Sequence, residues 1–184
     1  MAQPNLTHMG IYTDDIERLQ EFYTKVLGLV VTDSGVGNVF KRNLVFMSGD
    51  PSQHHQFVLA SRLPGDPPRG PLFQASFKVK TLTEMREMVE RARANGAENI
   101  RAMDHGNAWS LYFCDPEANV IEIYMDTRWY VPQPYADDLR LDLSDDEILR
   151  RSDARVMLEP GHMPLAEWSA NIAKKLAEMS GDAP

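Results

Sequence analysis

Apolar and polar residues alternate along the first organised segment of the chain, residues 5–13, and this period of two predicts a β-strand. An acidic pair, Asp14-Asp15, follows, and apolar residues then recur at helical spacing up to Gly28, which predicts a capped amphipathic helix. Short runs rich in β-forming residues predict three more strands, at residues 29–32, 43–47 and 55–60. This part of the chain is therefore predicted to fold as one βαβββ module.

The same order of elements returns after a segment rich in proline and glycine, residues 63–71, which is predicted to be a linker. A strand comes first, a helix begins near Leu82, and three strands complete the second copy. His8 precedes Gln74 by the same number of residues that separates the starts of the two helices, so the sequence indicates an internal repeat. The predicted strands are residues 73–79, 99–103, 110–114 and 120–125.

Each module is too small to cover both faces of its own sheet, so the two are expected to pair. The predicted fold class is α+β, with paired βαβββ modules that form a half-open mixed β-barrel around a metal-type cup. The domain is predicted to cover residues 1–126, with module one at 5–62 and module two at 72–126. Residues 127–184 are predicted to be a C-terminal arm rich in proline and aromatic residues, followed by helices. The helices are expected at residues 144–151 and 164–179.

Composition limits the partners of the chain. Its 184 residues are 43% hydrophobic and 25% charged, which is typical of a globular protein. The net charge of −8 argues against nucleic acid and anionic membranes as partners, and no apolar run reaches the length of a membrane span. The single cysteine, Cys114, cannot form an intrachain disulfide, and the first residues lack the features of a secretion signal. We therefore expect a cytoplasmic protein.

Three residues occupy matching strand positions and are expected to meet in the cup: His8, Gln74 and Glu122. Imidazole and carboxylate ligands on one face, with open positions left over, suit iron(II) or another divalent first-row metal. Taken singly, each residue has a structural explanation, as a core histidine, a polar strand residue and a partly exposed carboxylate. The symmetry of the repeat is what favours a shared metal site.

Several short motifs follow one another in the order of a known family. On these motifs the chain resembles the vicinal oxygen chelate superfamily of glyoxalases, bleomycin resistance proteins and extradiol dioxygenases. Within it, the chain is most similar to one-domain catechol and biphenyl-diol dioxygenases, and the resemblance extends through the aromatic tail at residues 126–134. The motifs are Leu6-Thr7-His8-Met9-Gly10-Ile11, Phe22-Tyr23, Leu27-Gly28-Leu29, His54-His55, His105-Gly106, Ser110-Leu111-Tyr112-Phe113, and Asp115-Pro116 with Asn119.

The resemblance implies iron(II) ligands at His8 and Glu122, and it places Gln74 in a slot that ring-cleaving members give to a second histidine. Because glyoxalase-type members use glutamine as a metal ligand, manganese, zinc, nickel and cobalt are alternatives to iron. A second departure is Ala118, which stands in a turn where the family commonly has glycine. If this residue takes a positive φ, alanine costs about 1 kcal/mol of stability there.

The resemblance also implies catalytic residues. His55 matches a family histidine that transfers protons and helps to handle dioxygen, and His105 and Tyr112 match donors near the substrate hydroxyls. The residue types fit these roles, since imidazole exchanges a proton near neutral pH and a phenol can donate to an oxyanion in a dry pocket. Without the resemblance, His55 would be interpreted as part of a polar turn, His105 as a residue that caps a loop and Tyr112 as an ordinary aromatic residue of a strand.

Three functions are consistent with these residues. The sequence favours a ring-cleaving, extradiol-type oxidoreductase that takes a small aromatic diol and dioxygen as substrates. A metal-dependent isomerase, lyase or hydrolase is the second hypothesis, and a non-catalytic protein that binds small molecules is the third. A homodimer or higher homo-oligomer is expected, because closed symmetric assemblies are the commonest state of such domains.

Overall fold

The computed structural model describes residues 6–37, 41–66 and 72–180, so the end of the predicted linker, residues 67–71, lies outside the described residues. The two predicted modules are both present. Module one contains β1 (Met9–Thr13), α1 (Ile16–Leu27), β2 (Val30–Val36), β3 (Asn43–Ser48) and β4 (Phe57–Ser61). Module two contains β5 (Ala75–Lys78), α2 (Leu82–Ala94), β6 (Glu98–Asp104), β7 (Ala108–Cys114) and β8 (Val120–Asp126).

Helix α1 begins and ends where its sequence signals predict. The side chain of Asp15 accepts a hydrogen bond from the backbone N–H of Arg18, which caps the first turn. Gly28 ends the helix in the left-handed conformation, with φ 71°, where glycine carries no steric penalty. The apolar stripe of α1 faces the core, and its buried members are Leu19, Phe22, Tyr23 and Val26.

The two sheets have the same topology, which confirms the α+β fold of paired modules. In module one the strand order is β1-β4-β3-β2, and in module two the strands follow the matching order β5-β8-β7-β6. Strand β1 is parallel to β4, and β5 is parallel to β8, whereas the other pairs within each module are antiparallel. The sheets do not close into one barrel, in agreement with the half-open arrangement predicted.

Polar contacts join the two modules at one end of their shared core. The buried hydroxyl of Thr13, at the end of β1, donates to Glu117 Oε1 at 2.5 Å. The hydroxyl of Tyr23 on α1 donates to Asp115 Oδ2 at 2.7 Å, and burial together with this carboxylate raises the pKa of Tyr23. The turn between β7 and β8 therefore holds α1 and the end of β1 against module two. Ala118 in this turn has φ 62°, so the condition under which alanine costs stability at this position is met.

The C-terminal arm contributes more to the fold than its composition predicts. Its strand β10 (Asp137–Asp138) pairs with β6 and extends the module-two sheet, while β9 (Trp129–Tyr130) pairs with β11 (Met163–Pro164). Helix α3 (Asp145–Val156) runs five residues beyond its predicted end at residue 151, and α4 (Leu165–Ser180) follows.

The arm also packs on itself and on the body of the protein. The face of α3 that carries Ile148, Ser152 and Val156 is buried against the body. Trp168 of α4 stacks on Tyr130 of β9 with ring centroids 5.3 Å apart, so α4 packs against another part of the arm. Among the described residues, none of the helices is long and apolar enough to cross a membrane.

Candidate functional site

Glu122 is the centre of a polar cluster on the face of the module-two sheet that points away from the helices. Its strand neighbours Ile121 and Ile123 are buried in the core, so the alternation of β8 places Glu122 on the opposite face. The side chain is only 9% exposed, and three donors satisfy its carboxylate. These donors are Gln74 Nε2 at 2.7 Å, Ser76 Oγ at 2.5 Å and the Tyr112 hydroxyl at 2.6 Å.

A row of hydrogen bonds leads from Glu122 to the C-terminal arm. The hydroxyl of Tyr112 lies 3.0 Å from His105 Nε2, and His105 Nδ1 lies 2.8 Å from the carbonyl oxygen of Tyr135. Because the phenol has one proton and donates it to Glu122, all three bonds form together only when the imidazole carries both of its protons. The row therefore links the Glu122 carboxylate to the C-terminal arm through a phenol and an imidazole.

The surroundings of Tyr112 raise the pKa of its hydroxyl. Burial, and then the hydrogen bond and negative charge of Glu122, raise the pKa of Tyr112 to about 12. At neutral pH the hydroxyl is therefore a donor, as the predicted role beside substrate oxygens requires.

Module one contributes a separate group of histidines. The rings of His8 and His55 lie 4.5 Å apart between centroids, and His55 Nδ1 is 2.9 Å from His54 Nδ1. Burial, followed by the proximity of His8 and His54, lowers the pKa of His55. His55 is therefore neutral near pH 7 and has the form that a proton acceptor needs.

The structure brings some of the predicted site residues together and leaves others apart. Gln74 contacts Glu122, and Tyr112 contacts both Glu122 and His105. Within the part of the chain that the structure describes, neither His8 nor His55 makes a hydrogen bond to this cluster. The two histidines contact each other, and His8 also contacts Thr7. The convergence of all predicted ligands on one ion thus stays a prediction.

A cavity of about 490 Å³ lies between the modules, and of the two groups of residues only His8 and Ser76 are among the residues that line it. His8 and Gln56 line it from module one, and Ser76 and Lys78 line it from module two. Its remaining wall is mostly apolar and includes Phe57 and buried residues of the shared core. A volume of this size is in the usual range for a small-molecule site.

The chemistry of the module-two cluster suits a divalent cation. Glu122 supplies a carboxylate, and Gln74 directs its nitrogen at Glu122, which leaves its amide oxygen without a described hydrogen bond. Among the described residues, no three histidine, cysteine, aspartate or glutamate side chains are grouped so as to hold a metal ion. A metal at Glu122 would therefore need Gln74, a ligand outside those four types, and the predicted third ligand, His8, makes no described contact with either residue.

Ser76 and Arg101 are neighbours of the site that the sequence did not single out. Ser76 lies opposite Glu122 in the parallel pair of β5 and β8, and Arg101 lies opposite Tyr112 in the antiparallel pair of β6 and β7. Gln74, just before β5, and Ser76 within it are two residues apart, and this spacing was a usable signal for a shared face. The strand register that brings them to Glu122 was not readable from the sequence.

Comparison with known proteins agrees with this geometry. The sequence model of the Glyoxalase/Bleomycin resistance protein/Dioxygenase superfamily matches residues 5–123. The chain belongs to this superfamily. The match covers both βαβββ modules almost to the end of β8 and leaves out the C-terminal arm.

Two characterised relatives from Rhodococcus globerulus are similar to this superfamily member. Biphenyl-2,3-diol 1,2-dioxygenase 2 is 27% identical over 129 residues, or 68% of the chain, and biphenyl-2,3-diol 1,2-dioxygenase 3 is 26% identical over 127 residues, or 67% of the chain. The matched region spans 64% of the length of each relative.

Solved structures share the fold at low sequence identity. A glyoxalase/bleomycin resistance protein/dioxygenase domain from Frankia sp. EAN1pec is 20% identical, with a TM-score of 0.58 over 68% of this chain and 94% of that one. A fosfomycin resistance protein, FosX, from Listeria monocytogenes is 18% identical, with a TM-score of 0.50 over 67% of this chain and 93% of its own, and it was crystallised with Mn(II) and a dihydroxypropylphosphonic acid.

Proposed function

We propose that this protein is a divalent-metal-dependent enzyme of the extradiol dioxygenase type, which acts on a catechol-type aromatic diol and dioxygen. The observation that carries the proposal is the row of Glu122, Tyr112 and His105, in which a buried carboxylate is coupled to two groups that can donate protons. The similarity to biphenyl-diol dioxygenases supports the same reaction class.

Glu122 is the proposed anionic ligand, and its donors keep it in place. Ser76 and Tyr112 bind different oxygens of the carboxylate, which fixes its plane and direction. Gln74 would supply its amide oxygen as a second ligand after its side chain turns over, because its nitrogen now faces Glu122, and His8, which lines the same cavity as Ser76, would supply the third. When bound, a divalent metal chelates the two vicinal oxygens of a diol and acts as a Lewis acid on them.

The proposed proton chemistry rests on three side chains. Tyr112 stays protonated at neutral pH, and its one proton would turn from Glu122 to an oxyanion of the substrate when the substrate binds. His105 exchanges a proton at Nε2 with the Tyr112 hydroxyl, while its Nδ1 bond to the arm holds the ring in place. His55, which is neutral near pH 7, accepts a proton from the substrate on the module-one side.

Gln74 supports a second candidate function. An amide oxygen binds iron(II) less well than an imidazole does, and oxygen-rich sites suit metals such as manganese. A metal-dependent isomerase, lyase or hydrolase would use the same cluster without dioxygen. The metal retained by the protein separates this reaction class from ring cleavage.

The test is oxygen consumption by protein that has been loaded anaerobically with iron(II) and then mixed with catechol or biphenyl-2,3-diol. We expect oxygen uptake together with a coloured ring-opened product, and we expect Glu122→Ala to abolish both. Glu90→Ala is the matched control, because Glu90 is an exposed glutamate on α2 that pairs with Arg93. Retention of manganese or zinc without oxygen uptake would favour the second function. An absence of any bound metal would contradict both and favour a binding protein.

A further inference from the structure

We propose that the substrate of this site is an acid, and that Arg101 binds its carboxylate. This inference rests on the proposed function for the position of the diol, and it adds a class of substrate and a residue that selects for it. Arg101 is the cation that the geometry places beside the proposed catalytic row.

The position of Arg101 follows from the strand register. Arg101 and Tyr112 are directly opposite on β6 and β7, and the guanidinium lies over the phenol ring, 5.4 Å from its centroid. The hydroxyl at the far end of that ring donates to Glu122. The guanidinium is therefore one side chain away from the proposed metal ligand, on the same face of the sheet. This order of groups suits an aromatic acid whose hydroxyls and carboxylate lie at opposite ends of one ring.

Arg101 is free to take an anion. Lys78, on the same face, pairs with Asp126, and the nearby arginines on α2, Arg86 and Arg93, pair with carboxylates as well. In the described ranges of the chain, no carboxylate oxygen lies within 4.0 Å of Arg101 and no hydrogen bond engages its guanidinium. The side chain is also exposed.

The chemistry of the guanidinium favours a carboxylate over a neutral group. It presents its N–H donors as a planar fork that matches the two oxygens of a carboxylate, and stacking on an aromatic ring holds that plane in one orientation. Because the chain has a net charge of −8, an anionic substrate meets repulsion elsewhere on the surface. A local unpaired cation is what allows an acid to approach Glu122.

Cross-strand stacking alone is the competing explanation. An arginine over a tyrosine on adjacent strands contributes to sheet stability whether or not it binds a ligand. The two explanations differ in which ligands lose affinity when the charge is removed.

The test uses three probes and the full chain loaded with Mn(II) under anaerobic conditions, with binding followed by isothermal titration calorimetry. The first probe, 3,4-dihydroxybenzoate, has the diol and the acid, catechol has the diol alone, and benzoate has the acid alone. The variants are Arg101→Gln and Arg101→Lys, and Arg18→Gln is the control, because Arg18 is an exposed arginine on α1.

We expect 3,4-dihydroxybenzoate to bind about tenfold more tightly than catechol, the gain typical of one charged hydrogen-bonded contact. Arg101→Gln should remove this preference and the binding of benzoate, and it should leave catechol affinity unchanged. Arg101→Lys should keep part of the preference, and Arg18→Gln should keep all of it. Equal affinity of the wild-type protein for the two diols would overturn the inference. Equal weakening of all three probes by Arg101→Gln would also overturn it, because stacking alone predicts that result.

The same titrations separate this inference from the proposed function. If both acids bind through Arg101 and catechol does not bind, the acid site stands and the diol site is wrong. If catechol binds and the acids show no preference, the diol site stands and the acid site is wrong. If none of the probes binds, both are wrong.

Discussion

The contact between Glu117 and the start of α1 gives the sharpest test of how the two modules hold together. Glu117 is 8% exposed, and its carboxylate accepts from the hydroxyl of Thr13 and from the backbone N–H groups of Asp14 and Asp15. One side chain of module two thus accepts the hydrogen bond of Thr13, the last residue of β1, and supplies a negative charge at the positive end of the α1 dipole. Glu117→Ala removes all of these contacts at once.

The expected cost of Glu117→Ala follows from the burial of its partners. Thr13 is fully buried, so its hydroxyl loses its acceptor with no water to replace it, which costs about 1–3 kcal/mol. Asp14 and Asp15 are exposed, so their N–H groups gain water and lose little. Loss of the anion at the helix N-terminus adds about 0.3–1 kcal/mol. The free energy of unfolding should fall by about 1–4 kcal/mol in total.

Urea unfolding followed by tryptophan fluorescence and circular dichroism measures this change. Glu90→Ala is the control, because its pair with Arg93 is exposed and such surface pairs contribute about 0–1 kcal/mol. Both probes should show the same loss for Glu117→Ala. A loss no larger than that of the control would refute the view that this carboxylate clamps the modules.

Three further predictions concern the turn and the site. Ala118→Gly should raise the free energy of unfolding by about 1 kcal/mol, because Ala118 has φ 62° and glycine takes that conformation without strain; urea unfolding that shows no gain would contradict this. The free energy of unfolding should fall as pH rises from 10 through 12, because folded Tyr112 keeps its proton to about pH 12. In Tyr112→Phe a late step in the ultraviolet titration of tyrosine should disappear. An unchanged titration would be evidence against the hydrogen-bonded row of Glu122, Tyr112 and His105. Gln74→His should increase iron(II) retention after desalting, since imidazole is the stronger ligand, and equal retention by both proteins would argue against Gln74 as a ligand.

The secondary structure was largely predictable because local signals decide it. Asp15 and Gly28 mark the ends of α1, and the alternation around Glu122 marks β8 and the face that the carboxylate occupies. The end of α3 was placed too early, since its last turn is held by burial of Ser152 and Val156 rather than by any strong local pattern. Strand β10 consists of two acidic residues, and only pairing with β6 makes it a strand.

The candidate site was predictable in its residue types and less so in its contacts. The repeat indicated that Gln74 and Glu122 share a face, and the structure places Gln74 Nε2 2.7 Å from Glu122 Oε2. The same symmetry gave no information on which donors bind the Glu122 carboxylate or which cation lies beside Tyr112, so Ser76 and Arg101 were found only from the register of neighbouring strands. The distance from Glu122 to His8 likewise depends on how the two modules pack against each other, and no local sequence pattern encodes that packing.

The central claim is that Glu122 and Gln74 hold a divalent metal. Elemental analysis of protein purified without added metal and then loaded anaerobically with iron(II), followed by desalting, tests it most directly. The account predicts one metal ion per chain for the wild-type protein and for Glu90→Ala, and loss of the ion in Glu122→Ala. Protein that retains no metal, or a Glu122→Ala variant that folds and retains as much as the wild type, would contradict it.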